Sequence, residues 1–276
     1  MTSFIPLKHG GVASYDLPTA DKIPKLRELL GPVKPGMNTM DIGSGTGYTT
    51  LSVLYGSEIT CVDSHQPNLD CVAKLAQDNN RPRPKLLNGT ATSLPVPDSS
   101  YDVILCSEVL EHLENDDAAI AEIARVLKLW GIALISVPYT GYGFTSFIER
   151  AGIKTVHDYP GPEQHVRPGY DEQELSGLLN RHGLEVEATD FYLKWLCRGA
   201  VDIVSLAHMA YQFLRHGRRF WTWSEAASVE SGLTFMIYKS MYPFLRLTIK
   251  LDDLLFKDRR GFGIIVRARK VETKPL

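Results

Sequence analysis

The sequence has 276 residues, 44% of them hydrophobic and 22% charged, with a net charge of -2 at pH 7. This suits one globular core and offers no surplus of Lys and Arg for sequence-independent binding to nucleic-acid phosphates. The four cysteines, Cys61, Cys71, Cys106 and Cys197, are dispersed without a CxxC pair, so neither a disulfide framework nor a structural zinc site organises the fold. No stretch reads as a membrane-spanning helix or an export signal, and a reducing, cytoplasmic setting is expected.

In chain order, Pro18 to Leu30 carries Ile23, Leu26, Leu29 and Leu30 at helical spacing and stops at Gly31 and Pro32, which predicts an amphipathic helix on the edge of the core. Short apolar runs follow as strands: Asn38 to Ile42, Glu58 to Val62, Lys85 to Leu87, Tyr101 to Cys106 and Ile132 to Val137. Helical patterns alternate with them at Tyr48 to Tyr55, Asn68 to Gln77 and Asp116 to Leu127, the last capped by Asn115 or Asp116. A further helix from Asp171 to Arg181 has Asp171 and Glu174 in capping-box spacing, and strands Val186 to Phe191 and Gly263 to Ala268 complete the set. Strands alternating with helices imply an α/β, doubly wound, seven-stranded and mostly parallel sheet. Residues 1–36 form an N-terminal helical segment, 37–193 the core, 194–260 a helical insertion before the last strand, and 261–276 that strand and a tail. The insertion holds two helical patterns, Ala200 to Leu214 and Leu233 to Leu255, the second interrupted by Pro243. A smaller insertion, Tyr139 to Tyr170, is rich in Gly, Pro and aromatics. Both insertions should leave from the carboxyl edge of the sheet, where ligands of open parallel sheets bind.

Between the first strand and the next helix stands Met40-Asp41-Ile42-Gly43-Ser44-Gly45-Thr46-Gly47-Tyr48. A glycine turn lets the backbone approach a bound nucleoside, and the strand-end carboxylate can meet a cationic group. A dinucleotide GxGxxG turn fails in both registers, because Tyr48 or Thr50 occupies the third glycine position. Asp63 closes the second strand 20 residues after Gly43, placed to accept both ribose hydroxyls. The turn resembles motif I of class I S-adenosylmethionine-dependent methyltransferases, small-molecule type, whose fold is Rossmann-like. Asn88 to Asp102 resembles the adenine-contacting loop of that family, and the resemblance runs over roughly residues 37 to 190. It implies S-adenosyl-L-methionine as cofactor, held by Asp41, Gly43, Ser44, Gly45 and Asp63, with Thr90 and Ala91 near adenine and Ser107 and Glu108 near the sulfonium. Many members carry an acidic residue where Thr90 stands, and Trp130 replaces a common glycine.

Methyl transfer is an in-line displacement in which positioning does most of the work. A hydroxyl acceptor also needs a base near neutral pH, for which His is suited. His112, after the fourth strand, and His165, before the helix at Asp171, are the candidate catalytic residues. The segment Ser107 to Leu113 is similar to its counterpart in ubiquinone-pathway O-methyltransferases, which implies that Glu108, Glu111 and His112 can hold a divalent metal. Because EVLEHL also occurs in methyltransferases that use none, no metal is expected and the segment is read as lining the cofactor pocket.

A small, apolar or amphipathic metabolite is the expected partner. The insertion offers apolar residues such as Trp195, Leu196, Ile203, Met236 and Met241 that could enclose it. Arg215, Arg218, Arg219, Lys239, Arg246 and Lys250 accompany Phe220, Trp221 and Trp223 there, a combination suited to peripheral contact with a membrane surface and a lipid-linked acceptor. A nucleoside-binding regulator without catalysis and a nicotinamide oxidoreductase are the alternatives of another class. The acceptor atom and the oligomeric state are not encoded in any motif.

Overall fold

The computed structural model describes Leu7, Ala13 and residues 15–141, 164–216, 232–256 and 260–272. Helix α1 (Leu17–Leu30) opens at Asp16, whose carboxylate accepts a hydrogen bond from Thr19 N at 2.9 Å, and it buries Leu17, Ile23, Leu26 and Leu30. There follow β1 (Asn38–Ile42), α2 (Tyr48–Val53), β2 (Glu58–Asp63), α3 (Gln66–Asp78), β3 (Lys85–Asn88) and β4 (Tyr101–Ser107). The second half runs α4 (Asp116–Val126), β5 (Leu127–Pro138), α5 (Glu172–Arg181), β6 (Leu184–Tyr192), α6 (Trp195–His216), α7 (Gly232–Leu255) and β7 (Gly263–Lys270).

Among the described residues seven strands make one sheet in the order β3-β2-β1-β4-β5-β7-β6. Neighbours pair in parallel except that β7 is antiparallel to both β5 and β6. The doubly wound reading of the sequence therefore holds. The strand order reverses between β1 and β4, and in such sheets the crevice at that reversal takes the ligand. The orientation of β7 follows from the connection. β6 ends at the carboxyl edge, the α6–α7 excursion starts and finishes there, and a chain re-entering a sheet by the edge it left must run back down.

Alternation along β4 builds two layers. Ile104 and Cys106 face Ile120, Ile123, Leu175 and Leu179, whereas Val103 and Leu105 face the layer of Leu26, Val204 and Leu245. Each fully buried Leu or Ile contributes about 1.5–3 kcal/mol, so both helical layers are held by the sheet's apolar faces. The insertion helices share the second layer with α1. Asp252 of α7 ties them down, accepting from Leu196 N at 2.9 Å and Cys197 N at 2.7 Å at the start of α6.

Predicted elements change at several points, and α6 begins at Trp195 rather than Ala200. β5 begins at Leu127, not Ile132, because Trp130 has φ +65° and the β4 ladder shifts register between Tyr101 and Val103, which hides the strand's start from a periodic reading. α2 stops at Val53, short of Tyr55. Pro243 lies inside a continuous α7 and does not interrupt it. Most of the insertion Tyr139 to Tyr170, and Arg218, Arg219, Phe220, Trp221 and Trp223, lie outside the described residues, as does the side chain of Arg215.

Candidate active site

The turn after β1 is shaped by its glycines. Gly43 has φ +69°, and a Cβ there would sit 2.4 Å from Val109 Cγ2. Gly45 has φ +50° and faces open space where its Cβ would be, a cradle for backbone approach to a ligand. Gly43 N and Ser44 N donate to Val62 O at 2.8 and 3.3 Å, which anchors the turn to β2. Asp63, at the end of β2, accepts from Gly45 N through Oδ2 at 2.9 Å and from His65 N through Oδ1 at 2.8 Å. It is thereby held beside the turn.

Asp41 is 3% exposed. Thr50 Oγ1 donates to its Oδ2, while its Oδ1 is buried without a hydrogen-bond partner. Burial pushes its carboxyl up to about 7, with the neighbouring Asp63 adding to the rise and the Thr50 hydrogen bond opposing it. An orphaned acceptor at the strand end fits the ammonium group of an S-adenosylmethionine methionine tail. Ser44 Oγ is likewise buried and unpartnered. At the end of β2 Gly89 N donates to Asp63 O at 3.2 Å, so the turn holding Thr90 and buried Ala91 lies next to Asp63. Thr90 itself is exposed and bridges to Ser93.

Beyond β4 the chain makes a second cluster. Ser107 Oγ lies 2.8 Å from Ser136 Oγ, which donates to Glu108 Oε1 at 3.1 Å. Tyr192 Oη donates to the same oxygen at 2.6 Å, and Lys22 Nζ lies 3.7 Å from it. Burial raises the Glu108 carboxyl, but the Lys22 charge and the hydrogen bonds from Tyr192 and Ser136 outweigh it and hold the group below its ordinary value. Glu108 also has φ +57°, a conformation that costs a non-glycine residue of order 1 kcal/mol and gathers at functional sites.

The two candidate histidines meet. The rings of His112 and His165 lie 4.8 Å apart, edge to face, because Val166 N donates to Glu111 O at 2.9 Å and draws the distant segment onto the turn after β4. His112 Nδ1 lies 2.9 Å from Gln164 O. The proton is assigned to Nδ1, which leaves Nε2 an acceptor. Tyr192 and Lys22 do not stand out as site residues in the sequence, and Glu111 stands out only as a metal ligand that the resemblance implies. Glu111 is fully buried and both its oxygens lack hydrogen-bond partners, so burial and the nearby Glu108 charge push its pKa well up. Glu111, His112 and His165 each offer a ligand atom within 4.8 Å of the others, while Glu108 belongs to the separate Lys22 and Tyr192 network. A divalent ion would therefore be held by a different trio from the one the resemblance implies. The signal for Lys22 was a charged residue next to Ile23 on the apolar side of α1; for Tyr192 it was the end of a strand at the carboxyl edge.

Residues 40–135 match the family model of a methyltransferase domain. An uncharacterized methyltransferase of Bacillus subtilis, YcgJ, is 36% identical over 35% of this chain and 38% of its own. A ubiquinone biosynthesis O-methyltransferase of Rickettsia bellii is 33% identical over 55% of this chain and 62% of its own. The chain thus spans less than two thirds of these relatives. Among solved structures, the [4+2]-cyclase SpnF superposes with a TM-score of 0.57 at 18% identity, covering 91% of this chain and 81% of that one. A cyclase on this fold shows that the fold alone does not name the reaction. The sequence match over β1 to β5, joined to the full seven-stranded topology, makes the chain similar to the class I S-adenosylmethionine-dependent methyltransferases.

Proposed function

We propose that the chain transfers the methyl group of S-adenosylmethionine to a hydroxyl oxygen of a small, largely apolar molecule. The meeting of His112 and His165 after β4 carries this reading. The acceptor oxygen attacks the methyl carbon as the carbon–sulfur bond breaks, S-adenosylhomocysteine leaves, and the hydroxyl proton passes to His112 Nε2. Gln164 O fixes the ring for this step by taking the Nδ1 proton in a hydrogen bond. Oxygen as acceptor is supported by the similarity to the Rickettsia bellii ubiquinone biosynthesis O-methyltransferase. Asp41, Asp63 and the open face of Gly45 hold the cofactor, and the Glu108, Tyr192 and Lys22 network positions the wall beside its methyl end.

Titration calorimetry with S-adenosylhomocysteine, with Asp63→Ala and with NADH as comparison, tests the cofactor. Methyl transfer from labelled cofactor to a panel of phenols and quinols then tests the reaction. Replacing His112 by Ala should lower kcat by about 10²–10⁴-fold. Cofactor binding without transfer to any acceptor would overturn the catalytic reading and favour a binding module.

The unpartnered oxygens of Glu111 favour a second reading of the same cluster, in which Glu111, His112 and His165 hold a divalent ion that lowers the acceptor's pKa. Activity lost to a chelator and restored by Mn²⁺ or Zn²⁺ selects it. Activity indifferent to chelation selects the histidine base.

A further inference from the structure

The insertion helices turn apolar side chains outward as well as inward. On α7, Met236, Phe244, Leu247, Leu254 and Leu255 are all exposed, Phe244 and Leu254 by 76% each. At 3.6 residues per turn these five fall within about 100° of arc, a stripe along a helix about 36 Å long. The opposite side is occupied, since Leu245 and Asp252 are buried against the body of the protein. On α6, Leu196 and Ile203 are also exposed, and Trp195 stacks on Phe256 with ring centroids 6.2 Å apart. Singly exposed apolar residues are ordinary, but a continuous stripe marks a surface that meets something.

Charge says what it meets. Lys239, Arg246 and Lys250 are exposed and fall within about 40° of arc along one border of the stripe. Asp253, the exposed acid of α7, is turned to Lys194 and Lys25 at 3.4 and 3.6 Å. Among the described residues the stripe itself thus carries no charged side chain, and its flank keeps an excess of cations with Asp253, about 20° of arc from Arg246, already engaged by lysines. A second copy seated antiparallel on the stripe would bring the two cationic flanks together, like charge against like. An anionic bilayer answers both features, its acyl boundary taking the stripe and its headgroups the flank. No described helix is long and apolar enough to cross a membrane, so the contact is with the surface.

We propose that the outward face of α7, with the start of α6 beside it, docks this protein on an anionic lipid surface. The proposal goes beyond the methyl-transfer reading and does not depend on it. Trp195 follows Tyr192 by three residues, so the docking face adjoins the cluster around Glu108 and sets that cluster near the bilayer.

Co-sedimentation of the full chain with vesicles tests this. Vesicles of equal parts phosphatidylcholine and phosphatidylglycerol should carry the protein down, phosphatidylcholine alone at least about tenfold less, and added salt should weaken the anionic binding. The double variant Phe244→Asp, Leu247→Asp should lose binding by about tenfold or more, with its circular dichroism and melting temperature retained because both residues are exposed. Reversal of Lys239, Arg246 and Lys250 to Glu should remove the preference for phosphatidylglycerol. Failure of the protein to sediment with either lipid would overturn the proposal. So would binding that survives the double variant, or a dimer in analytical ultracentrifugation that the double variant splits.

Discussion

Asp41 and Glu111 are both buried carboxyls with unpaired oxygens, yet they should answer pH differently. Asp41 has a pKa near 7, so below that pH it carries a proton and cannot receive an ammonium group as an ion pair. The affinity for S-adenosylhomocysteine should rise by about tenfold from pH 6 to pH 8 by linkage, and Asp41→Asn should flatten that rise in calorimetry. Glu111 acts on stability. Its folded pKa lies above its unfolded one, so as pH climbs between the two the unfolded chain sheds the proton first and the fold loses stability. Thermal melts from pH 5 to pH 8 should show a smaller loss of Tm for Glu111→Gln than for the parent chain. The glycine turn and Asp63 were legible in the sequence because their work is local: a turn and a strand end are read from neighbouring residues. The Lys22, Glu108 and Tyr192 contact was not. Its members stand on α1, the turn after β4 and β6, and Glu108 and Tyr192 are 84 residues apart, so no spacing rule connects them.

Elements were legible where their pattern was regular. The cap of α5 at Asp171, which accepts from Glu174 N at 2.8 Å, was visible as a spacing. The start of β5 was not, since the left-handed Trp130 interrupts the alternation. The cap of α6 was invisible for another reason, as it is supplied by Asp252 from the far end of α7. That carboxylate is 2% exposed and satisfies two amide groups at once. Asp252→Ala strands both donors and should cost on the order of 2–3 kcal/mol, a fall of several degrees in Tm measured by calorimetric scanning. An intact melt would mean that the amides find other acceptors.

For the whole molecule, ligand binding and folding are linked. If S-adenosylhomocysteine binds the native fold alone, a concentration about 100 times its Kd should add about 2.7 kcal/mol, which raises Tm by roughly 5–10 °C. NADH at the same concentration should leave the melt unmoved, and thermal-shift measurements decide between them. The overall topology was legible because alternating strands and helices permit few windings. The antiparallel return of β7 was not, because direction is fixed by where the insertion ends and not by the strand's own residues. That return carries a consequence for descent. Tyr192 pairs with Gly263 at the tip of two adjacent antiparallel strands, which is the geometry of a hairpin whose turn has been replaced by the α6–α7 excursion. Lengthening, trimming or exchanging that excursion need not alter any other strand register, so the surface it presents can change while the turn after β1 is inherited unchanged.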